Sequence, residues 1–146
     1  MKSFIRTEDG KFINLRAVSN VNILKDKIVL NMNFTYTNRK EGQMSHFYFL
    51  KPFEDEIFET EFFKENFVRV EGFDRVVYIN KNEVSHIIGE SKESQRDKII
   101  ICFCNSVSRK SVEDKSILCP EYMYISLDYN QDLNKTIKHL IEELDK

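Results

Sequence analysis

The feature that most limits the fold of this chain is a short motif that occurs twice. The first copy spans residues 12–21 and the second spans residues 78–87. Each copy reads aromatic-Ile-Asn, three variable positions, Val-Ser, one variable position, and then Val or Ile. Such regular spacing is typical of an internal duplication. We therefore predict two repeats, at residues 1–66 and 67–146, that together form a single domain over residues 1–146.

Alternating apolar residues predict the strands of each repeat. Ile28, Leu30 and Met32 alternate with other residues, as in a strand that has one buried face and one wet face. The segment 99–104 is apolar on both faces, which indicates a covered central strand. Polar segments at 37–45, 89–97 and 105–116 are predicted to be loops between the strands.

Each repeat is predicted to end in a helix. Apolar residues from Tyr129 to Leu144 recur at helical spacing, with Asp128 as the predicted N-cap. A shorter helix is predicted to begin at Pro52 and to end near Asn66. The predicted fold class is α+β, with two pseudo-symmetric repeats, each an antiparallel four-stranded meander followed by one helix. A unit of about 65 residues is marginal by itself, so we expect the two units to pack together.

The composition is that of a globular protein. Hydrophobic residues make up 41% of the chain and charged residues 32%. The net charge of −2 does not favour nucleic acid or an anionic membrane as the partner. No apolar run approaches the length of a membrane span, and the N-terminus lacks the apolar core of a signal peptide. Because the three cysteines follow no disulfide pattern, a cytoplasmic location is predicted.

The repeated motif resembles a short domain of uncharacterised bacterial and phage proteins. The resemblance rests on residues 12–21 and 78–87, and on the charged turn and alternating strand that follow the first copy. It implies a β-meander with a helix and brings no known activity. The tandem order of strands and helix is also similar in topology to the Pur-repeat and Whirly single-stranded nucleic-acid binders. The basic and glycine-rich features of those proteins are missing here.

Cysteine and histidine are the residues that a catalytic or metal site would need. Cys102 and Cys104 alternate on one predicted strand, and together with Cys119 and a histidine they could bind zinc. The Cys-x-x-Cys spacing of zinc knuckles is absent, so we expect packed core thiols, no metal and no cofactor. His86 has no nucleophile motif beside it, which favours a structural or surface histidine. No catalytic residue is predicted, and the chain is expected not to be an enzyme.

The candidate binding residues are amides on a strand and cations in loops. Amides on an exposed sheet face can hydrogen-bond a base edge, a sugar or a peptide, and gathered cations can meet phosphate. The simpler alternative is a solvated sheet face with ordinary mixed-charge loops. The candidates are Asn31, Asn33, Arg39, Lys40, Arg96, Lys98, Arg109 and Lys110.

Aromatic residues exceed what one sheet face can bury. Phe47, Tyr48, Phe49, Phe62 and Phe63 either pack between the repeats or form a surface for self-association or for a partner. The predicted function is therefore a non-enzymatic binding or interaction protein of unknown protein partner, of the kind found among small bacterial or phage accessory proteins. The alternative is a single-stranded nucleic-acid-binding protein, in which aromatic rings stack on bases and loop cations contact phosphates.

Overall fold

The described part of the chain is a mixed α+β structure with three antiparallel sheets and two α-helices. The computed structural model describes the backbone of residues 1–38, 40, 42–110 and 116–146. Within these ranges it describes every side chain except those of residues 34–38, 42–46, 105–110 and 116–121.

Within the described residues, each half of the chain holds five strands followed by one α-helix, one strand more than the four-stranded meander that the sequence predicted. The first half contains β1 (Phe4–Arg6), β2 (Phe12–Asn14), β3 (Val18–Ile23), β4 (Ile28–Asn38), β5 (Gly42–Leu50) and α1 (Glu61–Asn66). The second half contains β6 (Phe67–Glu71), β7 (Val76–Asn80), β8 (Val84–Glu90), β9 (Lys98–Lys110), β10 (Ser116–Ser126) and α2 (Leu133–Leu144). Short 3₁₀ turns lie at Leu15–Ala17, Glu56–Glu59 and Lys81–Glu83.

The strands form three sheets, and one of these sheets joins the two halves. The hairpin β1–β2 is a sheet of its own, and β8, β9 and β10 form a three-stranded meander. The third sheet has the order β5-β4-β3-β7-β6, so the hairpin of the second half extends the meander of the first. The strand β3 pairs with β7 in antiparallel register, with Val21 opposite Tyr78.

The asparagine of the repeated motif ends a strand and caps the 3₁₀ turn that follows. The side-chain oxygen of Asn14 accepts a hydrogen bond from the backbone nitrogen of Arg16 at 3.1 Å. The side-chain oxygen of Asn80 accepts one from the backbone nitrogen of Asn82 at 3.0 Å. Asparagine suits this position because its short side chain reaches the backbone amide two residues further along.

The serine of the motif lies at a β-bulge. The register between β3 and β4 shifts between Val18 and Asn20, which leaves Ser19 as the extra residue. The same shift occurs in β8, between Val84 and His86. Without a bulge, residues three apart on a strand face opposite sides. The bulge therefore explains how the first and last apolar residues of Val-Ser-x-Val can face the same core.

Two apolar cores lie on opposite faces of the five-stranded sheet. In the first core, β1, β2 and α1 cover the faces of β3, β4 and β5. In the second core, the three-stranded meander and α2 cover the other face of β6 and β7. On β4 the expected period of two is confirmed, because Ile28, Leu30 and Met32 are buried while the residues between them are partly exposed.

Both helices begin later than the sequence predicted. Asp132, not Asp128, caps α2, and its carboxylate accepts a hydrogen bond from the backbone nitrogen of Lys135 at 2.9 Å. Tyr129 precedes the helix and is exposed. Pro52 lies in a turn, and α1 begins only after Thr60, whose hydroxyl accepts a hydrogen bond from the backbone nitrogen of Phe63. Neither described helix is long and apolar enough to cross a membrane.

Two of the predicted loops are largely strand. The strand β4 continues to Asn38 and β5 starts at Gly42, so these strands occupy most of the segment expected to be a loop at 37–45. The strand β9 continues to Lys110, and β10 starts at Ser116. Polar composition predicted loops here, but backbone pairing between adjacent strands can extend a hairpin through polar residues.

Candidate functional site

A polar cleft lies between the five-stranded sheet and the strand β10. Its volume is about 530 Å³. Three asparagines from β3 and β4 form one side, and the other sides come from β9, from β10 and from the turn between β6 and β7. The lining residues are Asn20, Asn22, Asn31, Asp74, Arg75, Phe103, Tyr122, Met123, Tyr124 and Ser126. We call this feature the amide cleft.

The three asparagines are held in place by a shared hydrogen-bond network. The side-chain oxygen of Asn20 accepts from the amide nitrogen of Asn22 at 2.8 Å and from that of Asn31 at 2.7 Å. The amide nitrogen of Asn20 donates to the hydroxyl of Ser19 at 3.0 Å. Asn20 and Asn22 are buried, and Asn31 is partly exposed. Because each bond fixes the orientation of an amide, the cleft presents a preorganised polar surface.

Arg75 crosses from the hairpin β6–β7 to β10 at one side of the amide cleft. Its guanidinium donates to the backbone carbonyl of Tyr124, and its Nη1 atom lies 3.4 Å from the side-chain oxygen of Asn22. Burial lowers the pKa of Arg75, while the neighbouring Asp74 carboxylate acts in the opposite direction. The guanidinium stays charged at neutral pH, so the cleft contains a fixed positive charge.

Two pairs of exposed aromatic rings stand beside the amide cleft. The rings of Tyr122 and Tyr124 on β10 have centroids 5.2 Å apart, and those of Phe47 and Phe49 on β5 are 5.1 Å apart. Cross-strand register places Phe47 opposite Asn31, on the same face of the sheet. Phe47 and Phe49 therefore extend the surface of the three asparagines onto β5, while Tyr122 and Tyr124 lie on the opposite wall of the amide cleft. We call these four residues the aromatic rim.

The two predicted amides differ in position. Asn31 lines the amide cleft and belongs to its hydrogen-bond network. Asn33 lies one step further along the same face of β4, and its amide nitrogen donates to Glu83 at 3.0 Å. Both side chains are partly buried and engaged within the protein, so this part of β4 is more than a solvated face.

The predicted cations do not gather in one described place. Lys98 starts β9, and its Nζ atom lies 5.9 Å from the ring centroid of Tyr124 in the aromatic rim. Lys40 is exposed in a turn, and Arg39 lies outside the described residues. Arg109 and Lys110 end β9, and their side chains lie outside the described set.

Arg96 packs against aromatic rings of the protein itself. Its guanidinium carbon lies 3.5 Å from the ring centroid of Phe73 and 4.0 Å from that of Tyr129. Its Nη1 atom is 3.9 Å from the carboxylate of Asp128. These contacts join the β6–β7 turn, the β8–β9 loop and the segment before α2, so the geometry gives Arg96 a bridging role in the fold.

Cys102 differs from Cys104 and His86 in its exposure to solvent. Cys102 is buried, and this burial raises the pKa of its thiol, whereas Cys104 is exposed. Cys119 lies among the side chains outside the described set. His86 is exposed, and its Nδ1 atom is 2.9 Å from the hydroxyl of Ser85. Among the described residues, no group of three or more His, Cys, Asp or Glu side chains is arranged to hold a metal ion.

The aromatic residues whose role the sequence left open differ in burial. Phe62 and Phe63 are buried in the first core, where Phe63 stacks on Phe67 with centroids 4.6 Å apart. Phe47 and Phe49 are exposed. Phe62 and Phe63 therefore pack against Phe67 of the second half. A surface for self-association or for a partner stays a prediction for Phe47 and Phe49.

Several residues of the site were missed from the sequence. Tyr122 and Tyr124 alternate with the apolar Met123 and Ile125, and this period-two pattern was a usable signal for an exposed aromatic pair. Arg75 gave no local signal, because its partners Asn22 and Tyr124 are far from it in the chain.

Comparison with known proteins gives no further assignment. No family model, curated protein or solved structure matches the chain.

Proposed function

We propose that the protein is a non-enzymatic binding protein that recognises a partner protein at the amide cleft and its aromatic rim. The observation that carries the proposal is the fixed network of Asn20, Asn22 and Asn31 beside the exposed rings of Tyr122 and Tyr124. Amides pair with the peptide groups of an extended segment, and exposed aromatic rings bury its apolar side chains. No catalytic role is assigned to any residue.

The edge strands also favour a polypeptide partner. The aromatic pairs lie on β5 and β10, which are terminal strands of their sheets in the described structure. An extended segment can add to such an edge through backbone hydrogen bonds, with side-chain contacts supplying specificity. For β10, the carbonyls of Tyr124 and Ser126 already accept from Arg75 and Phe73. The β5 edge beside Phe47 and Phe49 is therefore the better candidate for strand addition.

We further infer that residues 1–66 and 67–146 are two copies of one unit within a single domain. What supports the duplication is the recurrence of the asparagine cap, the serine bulge and the edge-strand aromatic pair at equivalent places. What supports a single domain is the pairing of β3 with β7, because separating the halves would break that sheet. Limited proteolysis should leave one resistant unit. Two stable fragments divided near residues 69–74 would contradict the single domain.

A second candidate function is single-stranded nucleic-acid binding. It is favoured by two lysines that stand beside the aromatic rim. The Nζ atom of Lys27 lies 4.6 Å from the ring centroid of Phe49, and that of Lys98 lies 5.9 Å from the ring of Tyr124. Stacking rings with adjacent cations suit bases and phosphates, respectively. The net charge of −2 weighs against this candidate.

Affinity capture with matched variants tests the protein-partner proposal. The tagged protein and a Tyr122→Ala/Tyr124→Ala double variant would capture partners from the same lysate, with Phe53→Ala as the control. Phe53 is exposed but does not line the amide cleft. We expect a captured protein to be lost with the double variant and kept with the control. Capture that is equal for all three proteins would contradict a role for the cleft.

Fluorescence anisotropy separates the second candidate from the first. A labelled mixed-sequence single strand would be titrated at low and then moderate salt. Binding that weakens as salt rises, and that is lost in Lys98→Ala and the double Tyr variant, would favour nucleic acid. The protein-partner proposal predicts no binding even at low salt, where electrostatic attraction is strongest.

A further inference from the structure

The hairpin of the second half has an aromatic face that the first half covers. Phe67 on β6 and Tyr78 on β7 lie on this face of the hairpin β6–β7. The ring of Phe63 on α1 stacks on Phe67 at 4.6 Å and lies 5.0 Å from that of Tyr78. The backbone of β7 pairs with the edge of β3, where Tyr78 is opposite Val21. The groove between β3 and α1 is thus filled by the hairpin that follows it.

The hairpin of the first half carries an equivalent aromatic face that is uncovered. Phe4 is opposite Asn14 in β1–β2, as Phe67 is opposite Asn80 in β6–β7. Phe12 and Tyr78 both hold the aromatic position of the motif. Phe4 is 50% exposed and Phe12 is 69% exposed, whereas Phe67 is 8% exposed. Among the described strands, β2 pairs only with β1, so its outer edge is open.

The meander of the second half has an equivalent groove that is unfilled. Val84 and Ile87 on β8 are partly exposed, although Val18 and Val21, which hold the same motif positions on β3, are fully buried. A groove of about 330 Å³ lies between β8 and α2. It is lined by Lys81, Val84, Ser85, His86, Ile87, Ile141, Leu144 and Asp145. Among the described strands, β8 pairs only with β9.

We propose that the groove between β8 and α2 binds the β1–β2 hairpin of a second copy of this chain. This contact between two molecules has the same form as the contact that β6–β7 makes with β3 and α1 within one molecule. By motif equivalence, Phe12 of one copy lies opposite Ile87 of the next, as Tyr78 lies opposite Val21. The groove lining includes the carboxylate of Asp145 as well as the cation of Lys81. We expect the guanidinium of Arg6, which lies beside the ring of Phe12, to meet that carboxylate.

The two surfaces of this contact are different from each other. One copy contributes its hairpin and the other its groove, so each bound copy still presents one of the two surfaces. Such head-to-tail association produces either a closed ring or an open chain. It also covers the open edges of β2 and β8, which are otherwise templates for unspecific strand pairing. The inference rests on the equivalence of the two halves and not on the amide cleft.

Variants that block one surface each provide the test. Phe12→Glu removes the hairpin surface, and Ile141→Glu removes the groove surface from the solvent side of α2, where Ile141 is exposed. Ile87→Glu is a second groove variant, and circular dichroism establishes that each variant is folded. Phe49→Glu and the Tyr122→Ala/Tyr124→Ala double variant are controls in the aromatic rim. Light scattering coupled to size exclusion measures mass at increasing protein concentration.

The wild-type protein and both controls should form dimers or larger assemblies of the 17.4 kDa chain. Phe12→Glu and Ile141→Glu should each remain monomeric alone. An equimolar mixture of these two should form a one-to-one heterodimer and nothing larger, because only one intact hairpin and one intact groove can meet.

A wild-type protein that stays monomeric at every concentration would overturn the proposal, as would single variants that retain the wild-type mass. A mixture that remains monomeric would overturn the head-to-tail arrangement. Equal capture by the wild-type protein and the Tyr122→Ala/Tyr124→Ala variant, which would contradict the protein-partner proposal, would leave these masses unchanged, so the two proposals fail separately.

Discussion

Ser19 and Ser85 make the same hydrogen bond in the two halves of the chain. The hydroxyl of Ser19 donates to the backbone carbonyl of Asn31 at 3.1 Å, and that of Ser85 donates to the carbonyl of Cys102 at 3.0 Å. In both places the acceptor is opposite the residue that follows the serine. Each serine thus satisfies a carbonyl at the bulge, where ladder pairing is disturbed. The motif specifies a backbone geometry rather than a chemical site.

The two serines should differ in their contribution to stability. Ser19 is fully buried and also accepts a hydrogen bond from Asn20, whereas Ser85 is exposed. We expect Ser19→Ala to lower the free energy of unfolding by about 1–3 kcal/mol, because it leaves buried polar groups unpaired. Ser85→Ala should cost about 0.5–1 kcal/mol, since water can replace its hydroxyl. Urea denaturation of both variants measures the difference, and a larger loss for Ser85→Ala would contradict this explanation.

Gly72 is required by a close approach between the β6–β7 turn and β10. A Cβ atom at this position would lie 2.8 Å from the backbone oxygen of Ser126 and 2.7 Å from Cγ2 of Ile125. We expect Gly72→Ala to destabilise the protein by about 1–3 kcal/mol, because the backbone of β10 must shift. Gly89→Ala is the matched control, since its added Cβ would press only on the side chains of Ile137 and Leu133 in α2. Thermal unfolding should show the larger decrease for Gly72→Ala, and equal decreases would refute the argument.

Arg96 should contribute to stability and not to nucleic-acid binding. Its guanidinium contacts the rings of Phe73 and Tyr129. Removing it by Arg96→Ala should lower the free energy of unfolding by about 0.5–2 kcal/mol. A double-mutant cycle with Tyr129→Ala isolates the contact, and additive losses would show that the ring and the cation do not interact. Arg96→Ala should also leave any anisotropy signal with single-stranded DNA unchanged.

The thiols of Cys102 and Cys104 should react at different rates. Burial raises the pKa of Cys102, so at a given pH less of it is thiolate than for an ordinary thiol, and access is also restricted. In a Cys119→Ser background, we expect iodoacetamide to label Cys104 first. Labelling of Cys102 should increase only as the pH rises above the ordinary thiol range, because the reactive thiolate forms later. Fragment mass spectrometry locates the label, and equal rates at both sites under native conditions would contradict the burial of Cys102.

The sequence by itself determined the elements whose cause is local. The repeated motif showed that the asparagine and the serine recur at the same spacing, and the period-two pattern predicted β4 as a strand with one buried face. The stripe from Tyr129 to Leu144 predicted α2, although the helix begins only at Leu133 and is capped by Asp132, not by Asp128. Predicted loops became strand where adjacent chains could pair, because pairing energy outweighs the weak preference of polar residues for loops.

Only the tertiary structure decided which distant residues meet. The pairing of β3 with β7 brings Arg75 to Asn22, and the packing of β10 brings Tyr124 to the same cleft. Arg96 looked like a phosphate contact in the sequence, yet Phe73 and Tyr129 reach it from two other segments. Local propensity carries no information about such contacts. Their free energy comes from burial and hydrogen bonding between segments that are far apart in the sequence. The open hairpin of the first half and the open groove of the second are apparent only in three dimensions, because exposure depends on what covers a residue.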